Sequence, residues 1–166
     1  MVKKKYVVIT AIVLAVIVLV SISGIDTEEH KIKKQFDKFS ELAAKKPSES
    51  TFVMARKAKD IAKLFDRQCI LNTRFEEISG QYSSQEIQAL AMRVRLMFSA
   101  LSLKFHDIGI SIAGEHRADV TFTAKLSGSL KSGEHLSEVH EFRCVLNNVD
   151  DSWVFSKFEL VEVFEK

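Results

Sequence analysis

His140 is the side chain in this sequence best placed to act as a general base. It lies in the run 136–146, where alternate positions carry Phe142, Cys144 and Leu146, so a strand would point His140 to the apolar side. Imidazole titrates near neutral pH, which suits proton transfer. The same pattern also fits a histidine at the rim of a core, bonded to main chain or facing solvent.

Tyr82 and Arg93 are the other candidate ligand contacts. Tyr82 directly precedes an amphipathic helix, and its phenol can donate a hydrogen bond to a ligand. Arg93 lies on that helix, and its position predicts that it is closer to the apolar stripe than Arg95, where it would bind a ligand carboxylate or a second subunit. The alternatives are that Tyr82 covers the end of the core and that Arg93 lays its stem along the stripe.

Motifs for metal, cofactor or nucleophilic chemistry are missing from the sequence. It has no Cys-x-x-Cys or His-x-x-x-His spacing, Gly-rich phosphate loop or nucleophile elbow, so we predict no catalytic residue, metal or cofactor. Cys69 and Cys144 are the only cysteines and both have apolar neighbours. They form either two buried free thiols or a disulfide across a long loop.

The N-terminal segment predicts a membrane anchor. Residues Tyr6–Ile25 form 20 residues without a charge, directly after Lys3, Lys4 and Lys5. About 20 apolar residues span a bilayer core, and lysines at the start favour a cytoplasmic N-terminus. We therefore expect a single-pass signal-anchor in residues 1–27 and a periplasmic or extracellular domain in residues 28–166. A cleavable signal peptide, cut after Ser23, is the alternative.

Charge gives no indication of a nucleic-acid partner. The sequence has 24 basic and 22 acidic side chains, and without the three flanking lysines the balance is 21 against 22, a net charge of −1.

The rest of the chain has the length of one domain with one core, to which the 12 phenylalanines contribute, Phe52 included.

Apolar spacing of three and four residues predicts three helices after the anchor. The first runs from Glu28 to about Lys46, and Pro47 ends it. The second begins at a Ser50 or Thr51 cap, points Phe52 and Ala55 inward, and ends near Arg67. The third is Ser84–Ser102, capped by Ser83 or Ser84 with Glu86 close behind.

The period then changes to two, which indicates strands. Four runs alternate in this way: 107–112, 118–126, 136–147 and 153–164, with a polar turn at 128–133. A short strand is also expected at Cys69–Leu71. Helices followed by an antiparallel meander predict an α+β domain with the helices on one side of the sheet.

This arrangement resembles the nuclear-transport-factor-2-like (NTF2-like) superfamily. The residues that carry the resemblance are the helix Ser84–Ser102, the runs 107–112 and 118–124, and the closing segment 151–155 with its Trp153. The resemblance implies a strongly curved antiparallel sheet that closes a cone, and it covers residues 28–166. The superfamily includes isomerases, dehydratases, ligand carriers and secretion scaffolds, so the fold by itself implies little about function.

We therefore expect a membrane-tethered extracytoplasmic domain without enzymatic activity, used for protein assembly or for holding a small apolar ligand. The tether followed directly by such a domain resembles the layout of type IV secretion scaffold proteins. The alternatives are an isomerase, dehydratase or hydrolase that uses His140 with Tyr82, and a domain whose cone is filled by phenylalanine. Members of this superfamily often dimerise through the open sheet face, and the resemblance implies that this face is a candidate surface for a homodimer or another protein partner. Because it carries polar residues, we expect a monomer or a weak dimer. These residues are Asp119, Thr121, Thr123, Lys125, Glu141 and Arg143.

Overall fold

The computed structural model describes residues 27–73 and 78–161. The predicted anchor Tyr6–Ile25 lies outside these residues. Within them, no helix is both long and apolar enough to cross a membrane.

The described residues form three helices and six strands. In chain order these are α1 (Glu28–Ala43), α2 (Thr51–Ala62), β1 (Phe65–Asn72), β2 (Gly80–Ser83), α3 (Ser84–Met97), β3 (Phe98–Ile112), β4 (Arg117–Leu130), β5 (His135–Val149) and β6 (Ser152–Leu160). Side-chain caps begin the helices as expected: Ser50 accepts from the N–H of Val53, and Ser83 and Glu86 form a complete capping box.

The strands make one sheet in the order β2-β1-β6-β5-β4-β3. Strands β3 to β6 are an antiparallel meander, and β1 adds to β6 in parallel. The predicted α+β class, with three helices and a meander, is confirmed. The short strand β2 and the parallel pairing of β1 were not predicted, because both are set by neighbours distant in sequence.

The third helix is shorter than predicted. It ends at Met97, and Phe98 is already extended, with φ −96° and ψ 142°. Leu101 pairs with Gly128 of β4, and its main chain also exchanges two hydrogen bonds with Lys45, of 2.8 and 3.1 Å. Main-chain pairing on both sides therefore draws residues 98–102 into β3. Met97, expected on the apolar stripe, is 54% exposed.

The second helix also differs from the prediction. It ends at Ala62, because Phe65 begins β1. Phe52 is 77% exposed and Ala55 is exposed as well, so their predicted inward positions are wrong. The residues that this helix buries are Met54, Ala58, Ile61 and Ala62.

Gly128 belongs to β4 and not to the predicted polar turn, which is confined to residues 131–134. A Cβ atom at Gly128 would lie 2.4 Å from the carbonyl oxygen of Ala100 and 2.9 Å from the ring of Phe98. Only glycine allows β3 to start so close to β4 directly after a helix.

Phenylalanine rings pack α1 on the sheet. Phe36 is fully buried, and its ring centroid lies 5.2, 5.0 and 5.1 Å from those of Phe105, Phe122 and Phe155, all edge-to-face. Trp153 is buried at the start of β6 and donates its indole N–H to Glu28 at 2.6 Å. The first helix is thus fixed to the last strand, which leaves α3 to cover the other part of the sheet.

Candidate functional site

A cavity of about 320 Å³ lies between the helices and the sheet. It is open to solvent on one side, and 17 of the 19 residues that line it are apolar, the exceptions being Thr73 and Arg95. Helix α3 supplies Ile87, Leu90, Ala91 and Val94; the sheet supplies Leu101, Leu103, Phe105, Phe122, Ala124, Leu126, Phe142 and others. The phenylalanines of the core therefore leave the cavity unfilled.

Arg95 closes one end of this cavity. Its side chain is 1% exposed, and its Nη1 donates to the carbonyl oxygens of Leu42 and Ala43 at 2.8 and 3.0 Å. Its Nη2 donates to Ala44 at 3.2 Å and to the carboxylate of Glu49. Arg95 thus satisfies carbonyl groups that the end of α1 leaves open, where α1 has no basic residue of its own.

Two lysines complete a charge cluster, which we define as Lys45, Glu49, Lys57 and Arg95; Lys57 is partly exposed and the other three are buried. Lys45 is 7% exposed and donates to the carbonyl oxygens of Arg95 and Phe98 at 2.6 and 2.5 Å. Lys57 donates to Glu49 at 2.8 Å and to Ala44 at 3.0 Å. Two cations, Lys57 and Arg95, therefore pair with the one carboxylate of the cluster, and Lys45 binds main-chain oxygens beside them.

The pKa values in this cluster follow from burial and charge. Desolvation is the largest effect on the pKa of Glu49 and would raise it, but hydrogen bonds from Lys57 and Arg95 outweigh it and hold that pKa below its usual 4.5. Desolvation also lowers the pKa of Lys45, and the nearby cations Lys131 and Arg95 lower it further. The shift in the pKa of Glu49 thus follows from its paired cations, and that of Lys45 follows first from its burial.

His140 of β5 lies opposite Ala124 of β4, a cavity residue, but it does not line the cavity itself. Its Nε2 is 2.9 Å from a carboxylate oxygen of Glu138, and 35% of its side chain is exposed. The last residue of β6 paired with β5 is Leu160, opposite Phe142, so His140 lies past the end of that pairing.

Tyr82 and Arg93 also lie outside the cavity lining. Tyr82 is in β2, half-buried against the apolar cluster of Ile61, Ala62, Cys69 and Ile87. Strands β1 and β6 separate β2 from β5, so the structure does not bring Tyr82 and His140 together. Arg93 is exposed on α3. Ligand binding by His140, Tyr82 and Arg93 stays a prediction.

The predicted order of the two arginines is wrong, because Arg95 is buried and Arg93 is exposed. A signal for this was present in the sequence. Arg95 follows Ile87 and Ala91 at intervals of four residues, which places all three on one helix face. An arginine on an apolar helix face indicates that other buried groups of the fold bind its charge, and here these are the carbonyl oxygens at the end of α1.

The two cysteines are buried free thiols. Strand β6 separates Cys69 on β1 from Cys144 on β5, so their main chains are roughly 10 Å apart, too far for a disulfide. Burial, with a smaller effect of Asp66, raises the pKa of Cys69 to about 12. Burial also raises the pKa of Cys144. Across residues 27–73 and 78–161, no three His, Cys, Asp or Glu side chains converge as metal ligands.

The outer face of the sheet carries a second pocket, of about 570 Å³. Its charged residues pair along the strands, Arg117 with Asp119 at 2.9 Å and Lys157 with Glu159 at 2.8 Å. Arg143 and Thr121 lie between these pairs and are exposed. This face is polar, as the sequence predicted for a candidate dimer surface.

Comparison with known proteins identifies the fold. The chain is similar to a candidate calcium/calmodulin-dependent protein kinase II association domain from Xanthomonas campestris, at 11% identity and a TM-score of 0.64, over 85% of this chain and 91% of that one. It is also similar to a candidate scytalone dehydratase from Novosphingobium aromaticivorans, at 15% identity and a TM-score of 0.64, over 82% of this chain and 85% of that one. A third similar structure is a hexachlorocyclohexane dehydrochlorinase (LinA, type 2), at 12% identity and a TM-score of 0.63, over 80% of this chain and 83% of that one.

These neighbours are cone-shaped NTF2-like folds, so the resemblance inferred from the sequence is confirmed at the level of the fold. No protein-family model matches the sequence. No curated protein matches it significantly either. The neighbours include a candidate dehydratase, a dehydrochlorinase and a candidate association domain, and at such low identity they establish architecture alone.

Proposed function

We propose that this protein is a membrane-tethered, extracytoplasmic NTF2-like domain that binds a small apolar molecule in the cavity beside α3 and performs no chemistry on it. One observation carries the proposal: a cavity of about 320 Å³ persists inside a domain with a phenylalanine-rich core. Its volume is in the usual range for ligand pockets, ~300–1,000 Å³.

The lining supports an apolar ligand. Water in such a cavity finds few hydrogen-bond partners, because Thr73 and Arg95 alone among the lining residues carry polar side chains. A ligand that replaces this water gains about 0.8 kcal/mol for each buried methylene group. Since one water occupies about 30 Å³, the cavity suits a molecule of on the order of ten heavy atoms.

The same lining supports binding over catalysis. An acid–base enzyme of this fold class requires at least two ionisable groups that converge on the substrate. Arg95 is the one ionisable residue among those that line the cavity within the described chain. His140 and Tyr82, which the enzymatic alternative uses, lie outside the lining on separate strands.

The location of the domain rests on the uncharged segment Tyr6–Ile25 and the lysines before it. We propose that this segment holds the protein in the membrane with its N-terminus in the cytoplasm. Extraction of membranes at alkaline pH should leave the full chain in the pellet, and protease added outside the cytoplasm should digest the domain. Release of the chain into the supernatant would contradict the tether.

Calorimetric titration of the full chain with 1-decanol tests ligand binding. An amphipathic polymer belt is used for solubility, because free detergent would compete for the cavity. We expect saturable binding that Ala91→Phe abolishes, since Ala91 lines the cavity, and that Ala89→Phe preserves, since Ala89 is exposed on the same helix. No saturable binding, or equal binding by both variants, would refute a ligand site in the cavity.

A further inference from the structure

Helix α2 carries most of its basic side chains on the face that points away from the core. Its buried residues are Met54, Ala58, Ile61 and Ala62. The residues on the opposite face follow each other at intervals of three and four, so they form one stripe along the helix. We define the α2 stripe as the exposed residues Phe52, Ala55, Arg56, Lys59 and Lys63.

The stripe begins with an apolar side chain that the fold does not cover. Phe52 is 77% exposed, the largest value among the large apolar residues of the described chain. Arg95 of α3 pairs with Glu49, three residues before Phe52, so α3 ends beside the start of α2. Leu96 and Met97, the next residues of α3, are 43% and 54% exposed. Exposed apolar side chains therefore gather at this end of the helical layer, which is typical of a surface that binds a partner.

The charge of the α2 stripe fits an anionic partner. One arginine and two lysines give it three positive charges, and Asp60 at its edge pairs with Lys63 at 2.7 Å. Residues 27–63, which include α1 and α2, contain 10 basic and 6 acidic side chains, a net charge of +4. Residues 64–161, which include the sheet, contain 10 basic and 13 acidic side chains, a net charge of −3. An anionic surface would thus attract the α1–α2 side of the domain and repel the rest.

The predicted tether identifies this anionic surface as a membrane. Two residues separate Tyr6–Ile25 from the start of α1 at Glu28, and two residues span ~7 Å at most. A tether of this kind holds α1 at the lipid surface. Helix α2 packs beside α1, and Lys57 of α2 donates to the carbonyl oxygen of Ala44 at 3.0 Å. The α2 stripe is therefore held close to the lipid, so that even a weak attraction is enough to dock it.

We propose that the α1–α2 layer lies flat on a membrane that contains anionic phospholipid. The basic side chains of the α2 stripe contact the headgroups, and the ring of Phe52 inserts beside them. This assignment rests on the proposed function, since it requires the tether. Docking in this orientation turns the polar outer face of the sheet away from the membrane, where it is accessible to a protein partner.

Lipid composition tests the proposal with the full chain. The protein is inserted into nanodiscs of phosphatidylcholine, with or without phosphatidylglycerol. A spin label at Ala55→Cys reports on the α2 stripe, and one at Ser111→Cys, exposed on the outer face of the sheet, is the control. Cys69 and Cys144 are buried and should stay unlabelled. We expect collisions of the Ala55→Cys label with a water-soluble nickel chelate to become less frequent when phosphatidylglycerol is present, and to recover at high salt. The Ser111→Cys label should not change.

Charge variants in the same discs identify the side chains that bind the lipid. Each Lys or Arg near an anionic surface contributes about fivefold to binding, so Arg56→Gln with Lys59→Gln should shift the equilibrium roughly 30-fold toward the undocked state. Lys104→Gln with Lys125→Gln removes the same charge from exposed positions of the sheet and should leave docking unchanged. Phe52→Ala should weaken docking as well, because it removes the inserted ring.

The possible failures are distinct. An Ala55→Cys label that is equally accessible in both kinds of disc overturns the docking while the tether stands, because the chain remains in the disc. Equal losses in the two double variants overturn the assignment to the α2 stripe. A label shielded in native membranes but not in anionic discs overturns it in favour of an acidic protein partner. A chain that enters neither kind of disc refutes the tether itself.

Discussion

Lys45 and Arg95 cap each other's helix ends. Lys45, just after α1, caps the end of α3, and Arg95 of α3 caps the end of α1. The Nζ of Lys45, two residues beyond α1, donates to the main-chain oxygen of Arg95 at 2.6 Å near the end of α3. The guanidinium of Arg95 in turn donates to the carbonyl oxygens of Leu42, Ala43 and Ala44 at the end of α1. The end of α1 is thus stabilised by Arg95 of α3, and the end of α3 by Lys45, which follows α1 in the chain.

Glu49 holds this reciprocal arrangement together, because it is the one anion of the cluster. Its side chain is 6% exposed and pairs with both Arg95 and Lys57. We expect Glu49→Gln to lower the free energy of unfolding by about 3 kcal/mol, since it leaves buried cations unpaired. Urea unfolding followed by the fluorescence of Trp153, the single tryptophan, measures this. As a control, Asp60→Asn breaks an exposed pair with Lys63 and should cause little change.

Acid should weaken the same cluster. The pKa of Glu49 is lower in the folded state than its usual 4.5, because hydrogen bonds from Lys57 and Arg95 outweigh the desolvation that opposes them. A carboxylate of this kind contributes its full stability above the unfolded-state pKa and loses it as pH falls through the folded-state pKa. The free energy of unfolding should therefore drop below about pH 4.5, and it should drop less in Glu49→Gln, which lacks the titrating group. Parallel pH profiles for the two proteins would show that Glu49 is not responsible.

The buried thiols should resist alkylation in the native protein. Burial raises the pKa of Cys69 to about 12, so little thiolate exists at pH 8, where Cys144 is protected by the same effect. We expect iodoacetamide to label neither cysteine until urea unfolds the chain, and then both. Ser152→Cys, at an exposed position, provides the positive control for labelling in the native state. A mass spectrum showing an oxidised pair in the native protein would contradict the strand separation.

Gly128→Ala should damage the junction between α3 and the sheet. The added Cβ would lie 2.4 Å from the carbonyl oxygen of Ala100, a main-chain atom that cannot move without disturbing β3. We expect a loss of about 2 kcal/mol or more in the free energy of unfolding. Ser127→Ala, one residue earlier on β4, should have a small effect. A Gly128→Ala protein as stable as the wild type would show that β3 can shift at this point.

Local signals in the sequence predicted much of the fold. Serine caps located the starts of α2 and α3, and alternation located β4 and β5 to within a few residues. The boundary at Met97 was missed because Phe98 and Leu101 fit helical spacing as well as a strand. Main-chain pairing with Lys45 and β4, which no local pattern reveals, decides in favour of the strand.

The apolar character of the cavity was predictable, but its polar end was not. Burial of Arg95 depends on the open carbonyl groups of α1, some 50 residues earlier in the chain, and on Glu49. Helical spacing from Ile87 and Ala91 could have placed Arg95 on the apolar face, but its partners at the end of α1 could not be read from the sequence. The place of His140 depends similarly on where β6 stops pairing with β5.

The last strand along the chain is a central strand of the sheet. β6 lies between β5 and β1, and β1 can join the sheet only through it. About 80 residues separate the end of β1 from the start of β6. At a synthesis rate of ~5–20 residues per second, roughly ten seconds pass between the synthesis of β1 and that of β6. The apolar faces of α1 and α2 are also made before β6. During that interval these apolar surfaces lack the strand that later covers them, so the sheet is completed only after β6 has been made.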